Sequence, residues 1–204
     1  MDLPEGYEYK NGFIHQKNRE EYKYTLEYKD KQSTNVEMSY LRLGWLSANI
    51  PHEELRDFLV VDIGSGNGEF AKCASSHFKR IYEYDLVGET ISKEELMNTN
   101  WDLAVFSDVV EHYPDLNEFI EVPWRYAMVS FPETPEFANF EEMKKWRHFK
   151  PNEHLWYMTG TGFVDWASTK IPNLEVINQG CFEDMIRTRW DSGKQNISTT
   201  LLKR

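Results

Sequence analysis

The sequence has no excess of basic residues. Its 34 acidic side chains outnumber the 23 basic ones, and the formal net charge is −11. A protein that binds nucleic acid through its phosphates usually presents a basic face, so this balance argues against nucleic acid as a general partner. The one dense basic run contains Lys144, Lys145, Arg147 and Lys150, and such a run usually forms a solvated helix face.

Cysteines and long apolar runs are also scarce. Cys73 and Cys181 are the only two cysteines, and their spacing fits neither a metal-binding pair nor a disulfide framework. No stretch approaches the ~20 apolar residues that a membrane-spanning helix requires. The first residues have neither the basic nor the apolar region of a secretory signal. We therefore expect a cytoplasmic protein with free thiols and no membrane association.

The sequence does contain enough apolar and aromatic side chains for one domain with a large core. Of its 204 residues, 40% are hydrophobic and 15% aromatic, and a chain of this length can bury roughly 70% of its unfolded surface. Short apolar runs alternate with helical patterns along most of the chain. We predict strands at 59–63, 80–86, 101–107, 126–131, 174–177, 181–187 and 198–202, and helices at 37–50, 69–78, 116–120 and 162–169.

This alternation predicts an α/β fold. Strands separated by helices form a Rossmann-like, doubly wound, mostly parallel sheet, to which we add an antiparallel strand at the C-terminal end. We divide the chain into an N-terminal arm and helix (residues 1–55) and a sheet domain (residues 56–204). The polar arm is expected to pack loosely, and with Tyr40, Arg42 and Trp45 it is a candidate lid over a site.

A loop with three glycines follows the first predicted strand. Gly64, Gly66 and Gly68 alternate with polar residues, so the backbone can turn tightly and a ligand can approach it closely. The G-x-G-x-G spacing differs from the G-x-G-x-x-G of dinucleotide-binding loops, and no Gly-Lys-Ser/Thr ending of a phosphate loop follows. Asp62, two residues before the first glycine, suits a positively charged ligand such as a sulfonium with an ammonium group.

Acidic residues also follow the next two predicted strands. Asp85 lies about 20 residues after Gly64, the spacing of an acid that binds ribose hydroxyls. Glu83, on the same strand face, is the alternative for that role. Asp108 follows the third strand. Ligands of such sheets bind at the carboxyl ends of the strands, so we expect these positions to meet at one site.

Four segments resemble the class I S-adenosylmethionine-dependent methyltransferases, most closely the small-molecule branch of the ubiquinone/menaquinone-biosynthesis type. Val60–Phe70 is similar to the first motif of that family, and Ile81–Asp85 is similar to its second strand. Trp101–Asp115 is similar to its fourth strand with the E-H-x-P-D loop that follows, and His154–Thr159 is similar to the segment before its last crossover helix. The resemblance covers about residues 55–204.

The resemblance implies S-adenosylmethionine as the cofactor and methyl transfer to an unidentified small-molecule acceptor as the reaction. A protein or nucleic acid acceptor stays open as well. The implied cofactor-binding residues are Asp62, Gly64, Ser65, Gly66, Asn67, Gly68, Asp85 and Asp108.

Glu111, His112 and His154 are the candidate catalytic residues. Glu111 and His112 follow a strand end near the expected methyl position, and His154 lies in the segment similar to the family. Methyl transfer needs a general base only when the acceptor is a weak acid such as an alcohol, so His112 is a candidate base or orienting group. It would otherwise cap the next helix. We predict no metal site, because the sequence names no third ligand beside Glu111 and His112.

A long segment and a short one depart from an ordinary domain of this kind. Residues 132–153 form a long connection with His148, Trp146 and Phe149, which we interpret as a candidate lid. Its aromatic side chains could form a hydrophobic seal, a platform for the acceptor or part of the core. The stretch between Asp85 and Asp102 is short for the expected elements, since one βαβ unit takes about 30 residues. We therefore expect the fold to be shortened between the second and fourth strands of the family.

The family's adenine-binding acid has no clear counterpart in this sequence. This absence, with the short segment, motivates the alternative function of a non-catalytic module that keeps the cofactor fold as a binding or scaffold unit. The glycine spacing counts against a nucleotide-dependent oxidoreductase.

Overall fold

The computed structural model describes residues 1–17, 20, 25, 36–88, 90–186 and 197–204. The strands are β1 Tyr7–Lys10, β2 Phe13–Gln16, β3 Leu59–Ile63, β4 Arg80–Tyr84, β5 Trp101–Ser107, β6 Trp124–Pro132, β7 Trp156–Tyr157, β8 Glu175–Gly180 and β9 Ile197–Lys203. The helices are α1 Val36–Asn49, α2 His52–Leu55, α3 Glu69–Ala74, α4 Lys93–Asn98, α5 Asn117–Glu121, α6 Phe140–Met143 and α7 Gly160–Lys170, with a 3₁₀ turn at Val110–His112. Within this part of the chain, no helix combines the length and apolar character needed to cross a membrane.

The central sheet carries the predicted topology. Among the described residues it has six strands in the order β4-β3-β5-β6-β9-β8. β3 pairs parallel with β4 and β5, and β5 pairs parallel with β6. β9 runs antiparallel to both β6 and β8. The predicted mostly parallel α/β sheet with an antiparallel C-terminal strand is confirmed.

The inner strands are apolar on both faces because helices cover both faces. Val61 and Ala104 pack in a core cluster that includes Leu96 of α4, Phe119 of α5 and Phe163 of α7. Val60 and Leu103, their neighbours along the strands, pack in a second cluster with Leu46 of α1, Leu55 of α2 and Phe70 of α3. Alternate residues of a strand point to opposite faces, so this division makes the sheet doubly wound.

The sheet is shortened where the sequence predicted. α4 is the only helix or strand between β4 and β5 in the described residues, and β4 forms one edge of the sheet. A capping box stabilises this six-residue helix: Ser92 accepts a hydrogen bond from the Glu95 backbone N–H, and the Glu95 side chain accepts one from the Ser92 N–H.

The start of the chain is better packed than the predicted loose arm. β1 and β2 form an antiparallel hairpin, and β2 pairs with β7 to complete a three-stranded sheet. All residues of β2 are buried. Asn11 and Gly12 form the turn at positive φ angles of 56° and 84°, which is the geometry that an Asn-Gly pair favours in a two-residue hairpin. The remainder of the arm, 18–35, lies almost wholly outside the described residues.

One predicted strand is wrong. The chain leaves the sheet after Gly180, and residues 182–183 form a turn where residues 181–187 were expected to be extended. The physical reason is Glu183, whose side chain is fully buried against Arg42 of α1. Residue 187, the last of that predicted strand, lies outside the described part of the chain.

Arg42 is a buried cation that joins distant segments. Its Nε lies 2.7 Å from Glu183 Oε1, and its Nη2 lies 3.1 Å from Glu183 Oε2, which is a bidentate pair. Arg42 Nη2 also lies 3.6 Å from Asp108 Oδ2, just after β5. α1 is thereby fixed against the carboxyl end of the sheet.

Replacing this cation should destabilise the fold. Arg42→Met leaves Glu183 buried without its partner, and breaking a buried pair in this way costs about 3–5 kcal/mol. Urea unfolding of the variant and the wild type measures the difference. Lys144→Met is the control, because the Lys144–Glu141 pair is exposed and such pairs contribute about 0–1 kcal/mol. Equal losses in the two variants would contradict the role of Arg42.

Candidate active site

The glycine loop turns sharply at the carboxyl end of β3. Gly64, Gly66 and Gly68 have φ angles of 68°, 56° and 72°, a left-handed conformation that side chains disfavour. A Cβ at Gly64 would collide with the side chain of Val109, and one at Gly68 would lie 2.6 Å from Glu83 Oε2. The loop therefore brings its backbone close to the segments after β4 and β5.

Asp85 braces this loop. Its Oδ2 accepts a hydrogen bond from the Gly66 N–H at 3.0 Å, and its Oδ1 accepts one from the Val87 N–H at 3.2 Å. Glu83, the alternative ribose-binding acid, has its carboxylate against Gly68, whereas Asp85 lines a cavity beside the loop. The geometry favours Asp85 over Glu83 for contact with a ligand.

Asp62 and Asp108 differ in their surroundings: Asp62 is buried, whereas Asp108 lines the cavity. Asp62 is 4% exposed, and burial raises its pKa to about 7 despite the opposing effect of Arg42. Asp108 has a left-handed φ of 55°, its N–H donates to the Ser130 carbonyl at 2.8 Å, and it lines the cavity. A non-glycine residue in this conformation is uncommon and concentrates at functional sites.

Glu111, His112 and His154 come together although His154 is distant in sequence. The 3₁₀ turn after β5 presents Glu111 and His112, and the Leu155 N–H donates to the Glu111 carbonyl at 2.8 Å. The His112 and His154 rings meet edge to face with centroids 4.8 Å apart. One ligand atom from each of the three side chains lies within 4.8 Å of the others. The structure thus supplies the third group that the sequence did not name.

Burial keeps both imidazoles neutral. It lowers the pKa of His112, against the effect of Glu153. It lowers the pKa of His154 to about 2, and His112 and Lys150 act in the same direction. An imidazole that binds a proton so weakly is a poor general base at neutral pH, but it keeps its lone pair for other partners.

One cavity of about 650 Å³ connects these groups. Ligand pockets in proteins span roughly 300–1,000 Å³. Of the predicted site residues, the cavity is lined by Gly64, Gly66, Asp85, Asp108, Glu111, His112 and His154. The other predicted cofactor residues, Asp62, Ser65, Asn67 and Gly68, are not among its lining residues.

Basic residues of the long segment also line the cavity. Arg147 and Lys150 border it near His148 and His154, and Lys150 Nζ lies 2.7 Å from Glu153 Oε1. The sequence pattern of this basic run predicts a solvated helix face. Lys144, Lys145 and Arg147 are exposed, but none of the four basic residues lies on a helix, because α6 ends at Met143.

The long segment and the N-terminal hairpin pack against each other. Ile14, Met143 and Tyr157 form a small core, and several partly buried aromatic side chains pack against it: Tyr7, Phe137, Phe140, Trp146 and Phe149. These aromatics thus belong to a core that joins the hairpin to the long segment. Of the predicted lid residues of α1, Trp45 stacks on Phe182 at 4.7 Å, Tyr40 is 56% exposed and Arg42 is buried.

Comparison with known proteins identifies the fold. No protein-family model matches the sequence, and no curated protein does so either. Among solved structures, an S-adenosylmethionine-dependent methyltransferase from Mesorhizobium loti matches with a TM-score of 0.54 and 13% identity, over 80% of this chain and 98% of that one. Magnesium protoporphyrin IX methyltransferase from Synechocystis PCC 6803, with bound S-adenosylhomocysteine, matches with a TM-score of 0.57 and 14% identity, over 91% of this chain and 90% of that one.

A third similar structure is a coclaurine N-methyltransferase bound to N-methylheliamine and S-adenosylhomocysteine. It has a TM-score of 0.52 and 10% identity, over 84% of this chain and 72% of that chain. At these identities the likeness establishes the fold alone. The structural neighbours are class I S-adenosylmethionine-dependent methyltransferases, and the Rossmann-like methyltransferase fold predicted from the sequence is confirmed.

The glycine loop provides a matched pair of stability predictions. Gly64→Ala should destabilise the protein, because the new Cβ would collide with Val109 at a positive φ. Gly44→Ala adds the same methyl group at an exposed position inside α1 with open space around it, and it should stabilise the protein by about 0.5–1 kcal/mol. Thermal unfolding of both variants tests the pair, and a stabilising Gly64→Ala would contradict the geometry.

Asp62 should make the stability depend on pH. Its pKa is raised from 3.8 to about 7 on folding, so the folded state holds the proton more tightly than the unfolded chain does. The contribution of Asp62 to the free energy of unfolding is then fully present below pH 4. It is lost as the pH rises towards 7, by about 1.4 kcal/mol per pH unit at most. Asp62→Asn should remove this dependence. Urea unfolding of both proteins between pH 4 and 8 measures this dependence. A difference in the free energy of unfolding between Asp62→Asn and the wild type that does not change with pH would refute the prediction.

Proposed function

We propose that this chain is an S-adenosylmethionine-dependent methyltransferase that acts on a small molecule. The observation that carries the proposal is the single cavity, which runs from the glycine loop and Asp85 to Glu111, His112 and His154. One cavity therefore offers a place for a cofactor beside chemically active side chains. The solved structures with bound S-adenosylhomocysteine and this fold support the choice of cofactor.

The glycine-loop end fits this cofactor. Gly64 leaves room for close backbone approach where a Cβ would not fit. Asp85 and Asp108 place carboxylates along the cavity, which suits a ligand with sulfonium and ammonium charges. Each Asp85 oxygen accepts a backbone hydrogen bond, and a carboxylate oxygen has a second lone pair that can accept from ribose hydroxyls. Bound there, the cofactor would supply an activated methyl group.

The other end of the cavity fits the acceptor. His112, His154 and Glu111 lie where a reacting group would be held, and the chain's part in such a transfer is mainly to align and desolvate it. The low pKa values of the two histidines favour orienting and binding over proton abstraction. The cavity volume of about 650 Å³ is typical of small-molecule sites, which supports a small acceptor. The resemblance to the ubiquinone/menaquinone-biosynthesis branch belongs to this proposal.

Both cysteines are free, and a reducing, cytoplasmic location completes the proposal. The non-catalytic alternative predicts cofactor binding without turnover. Mass spectrometry of molecules that co-purify with the protein would separate these cases, because a methylated product among them excludes a purely structural module.

Calorimetry with S-adenosylmethionine and S-adenosylhomocysteine tests cofactor binding. The wild type should bind both, and Gly66→Arg should abolish binding, because Gly66 lines the cavity at a positive φ. Gly44→Arg adds the same side chain on the exposed surface of α1 and should leave binding unchanged. Absence of binding to the wild type would rule out the proposed function.

A further inference from the structure

Glu111, His112 and His154 have the composition and the spacing of a metal-binding triad. Their ligand atoms lie within 4.8 Å of one another, and His112 Nε2 is 3.8 Å from Glu111 Oε1. That distance is too long for a hydrogen bond. It matches two ligands of one cation, since bonds of about 2.1 Å place neighbouring ligand atoms roughly 3–4 Å apart.

The tautomer of His112 is fixed by its second nitrogen. Nδ1 lies 2.8 Å from the Glu153 carbonyl oxygen, and a carbonyl can only accept, so Nδ1 carries the proton and donates. Nε2 therefore presents a lone pair towards the Glu111 carboxylate. Metal-binding histidines usually show this arrangement, with the outer ring nitrogen donating to a backbone carbonyl or carboxylate.

The triad is removed from solvent. Glu111 is 2% exposed and His154 is 4% exposed, so solvent screens the charge of the carboxylate only weakly. A divalent cation can bind the carboxylate and the lone pairs of both imidazoles at once.

We propose that Glu111, His112 and His154 bind a divalent first-row transition metal ion, such as Zn²⁺ or Co²⁺, at the acceptor end of the cavity. Two imidazoles and one carboxylate suit these ions. Three protein ligands leave coordination positions open towards the cavity that all three residues line.

The open positions suggest the class of acceptor, in a step that rests on the proposed function. A bound divalent ion lowers the pKa of a hydroxyl group that coordinates it, as it does for water. The hydroxyl proton would pass to solvent water, and the electron pair left on the oxygen would form the new O–CH₃ bond. The S–CH₃ bond of the sulfonium would break with its electron pair returning to sulfur, which leaves S-adenosylhomocysteine. The acceptor would then be an alcohol, phenol or similar oxygen compound, and a histidine with a low pKa would not be required as a base.

Metal binding is testable without knowing the acceptor. Chelator-treated wild-type protein titrated with Co²⁺ should bind one equivalent and develop the visible absorption of a Co²⁺–imidazole complex, and Zn²⁺ should displace it. His154→Gln should weaken Co²⁺ binding by more than the 10–100-fold typical of losing an outer partner of a ligand. Glu111→Gln is a second variant, should His154→Gln fail to fold.

His15→Gln is the matched control. His15 is also a buried histidine beside a glutamate, with Nδ1 3.1 Å from Glu8 Oε1, but it lies in the N-terminal hairpin, and its loss should leave Co²⁺ binding unchanged. Absence of binding to the wild type, or equal binding to both site variants, would overturn the metal site. S-adenosylmethionine binding to the metal-free protein is measured in parallel, so that a failure of the cofactor proposal is seen separately.

Discussion

The buried Arg42 guanidinium is the interaction on which the geometry of the site depends. A cation removed from water must be paired, and Arg42 pairs with Glu183 after β8 while lying 3.6 Å from Asp108 after β5. The same cation opposes the rise in the pKa of Asp62. Helix α1, which precedes the sheet in sequence, thus determines how carboxylates are arranged at the carboxyl edge and belongs to the architecture of the site.

The sheet could be predicted from the sequence because its strands are defined by local signals. β3 and β5 were predicted to the residue, since a parallel strand buried on both faces is a short continuous apolar run that ends at a glycine or a polar residue. The topology then determines that Gly64, Asp85 and Asp108 meet at one edge. In the structure, all three line the cavity.

The rest depends on contacts between distant segments, which no local pattern reveals. The Arg42–Glu183 pair joins residues 141 positions apart. Glu183 lies in a turn, so that it can pair with Arg42, where the local pattern predicted a strand. His154 lies beside His112 because its neighbours bind the 3₁₀ turn: the Glu153 carbonyl accepts from His112 Nδ1, and the Leu155 N–H donates to the Glu111 carbonyl. The sequence named His154 as a candidate, but its place beside Glu111 and His112 could not be predicted from a local pattern. The hairpin was missed although Asn11 and Gly12 signal it, because the surrounding arm is polar.

The two ends of the cavity are built by different means, and this difference bears on specificity. The glycine-loop end uses backbone and a braced carboxylate at strand ends. The end that we propose for the acceptor uses side chains from a 3₁₀ turn and from the segment near His154, whose sequences the sheet does not constrain. The acceptor of the proposed reaction is therefore not determined by the fold, and its class is inferred from the chemistry of Glu111, His112 and His154.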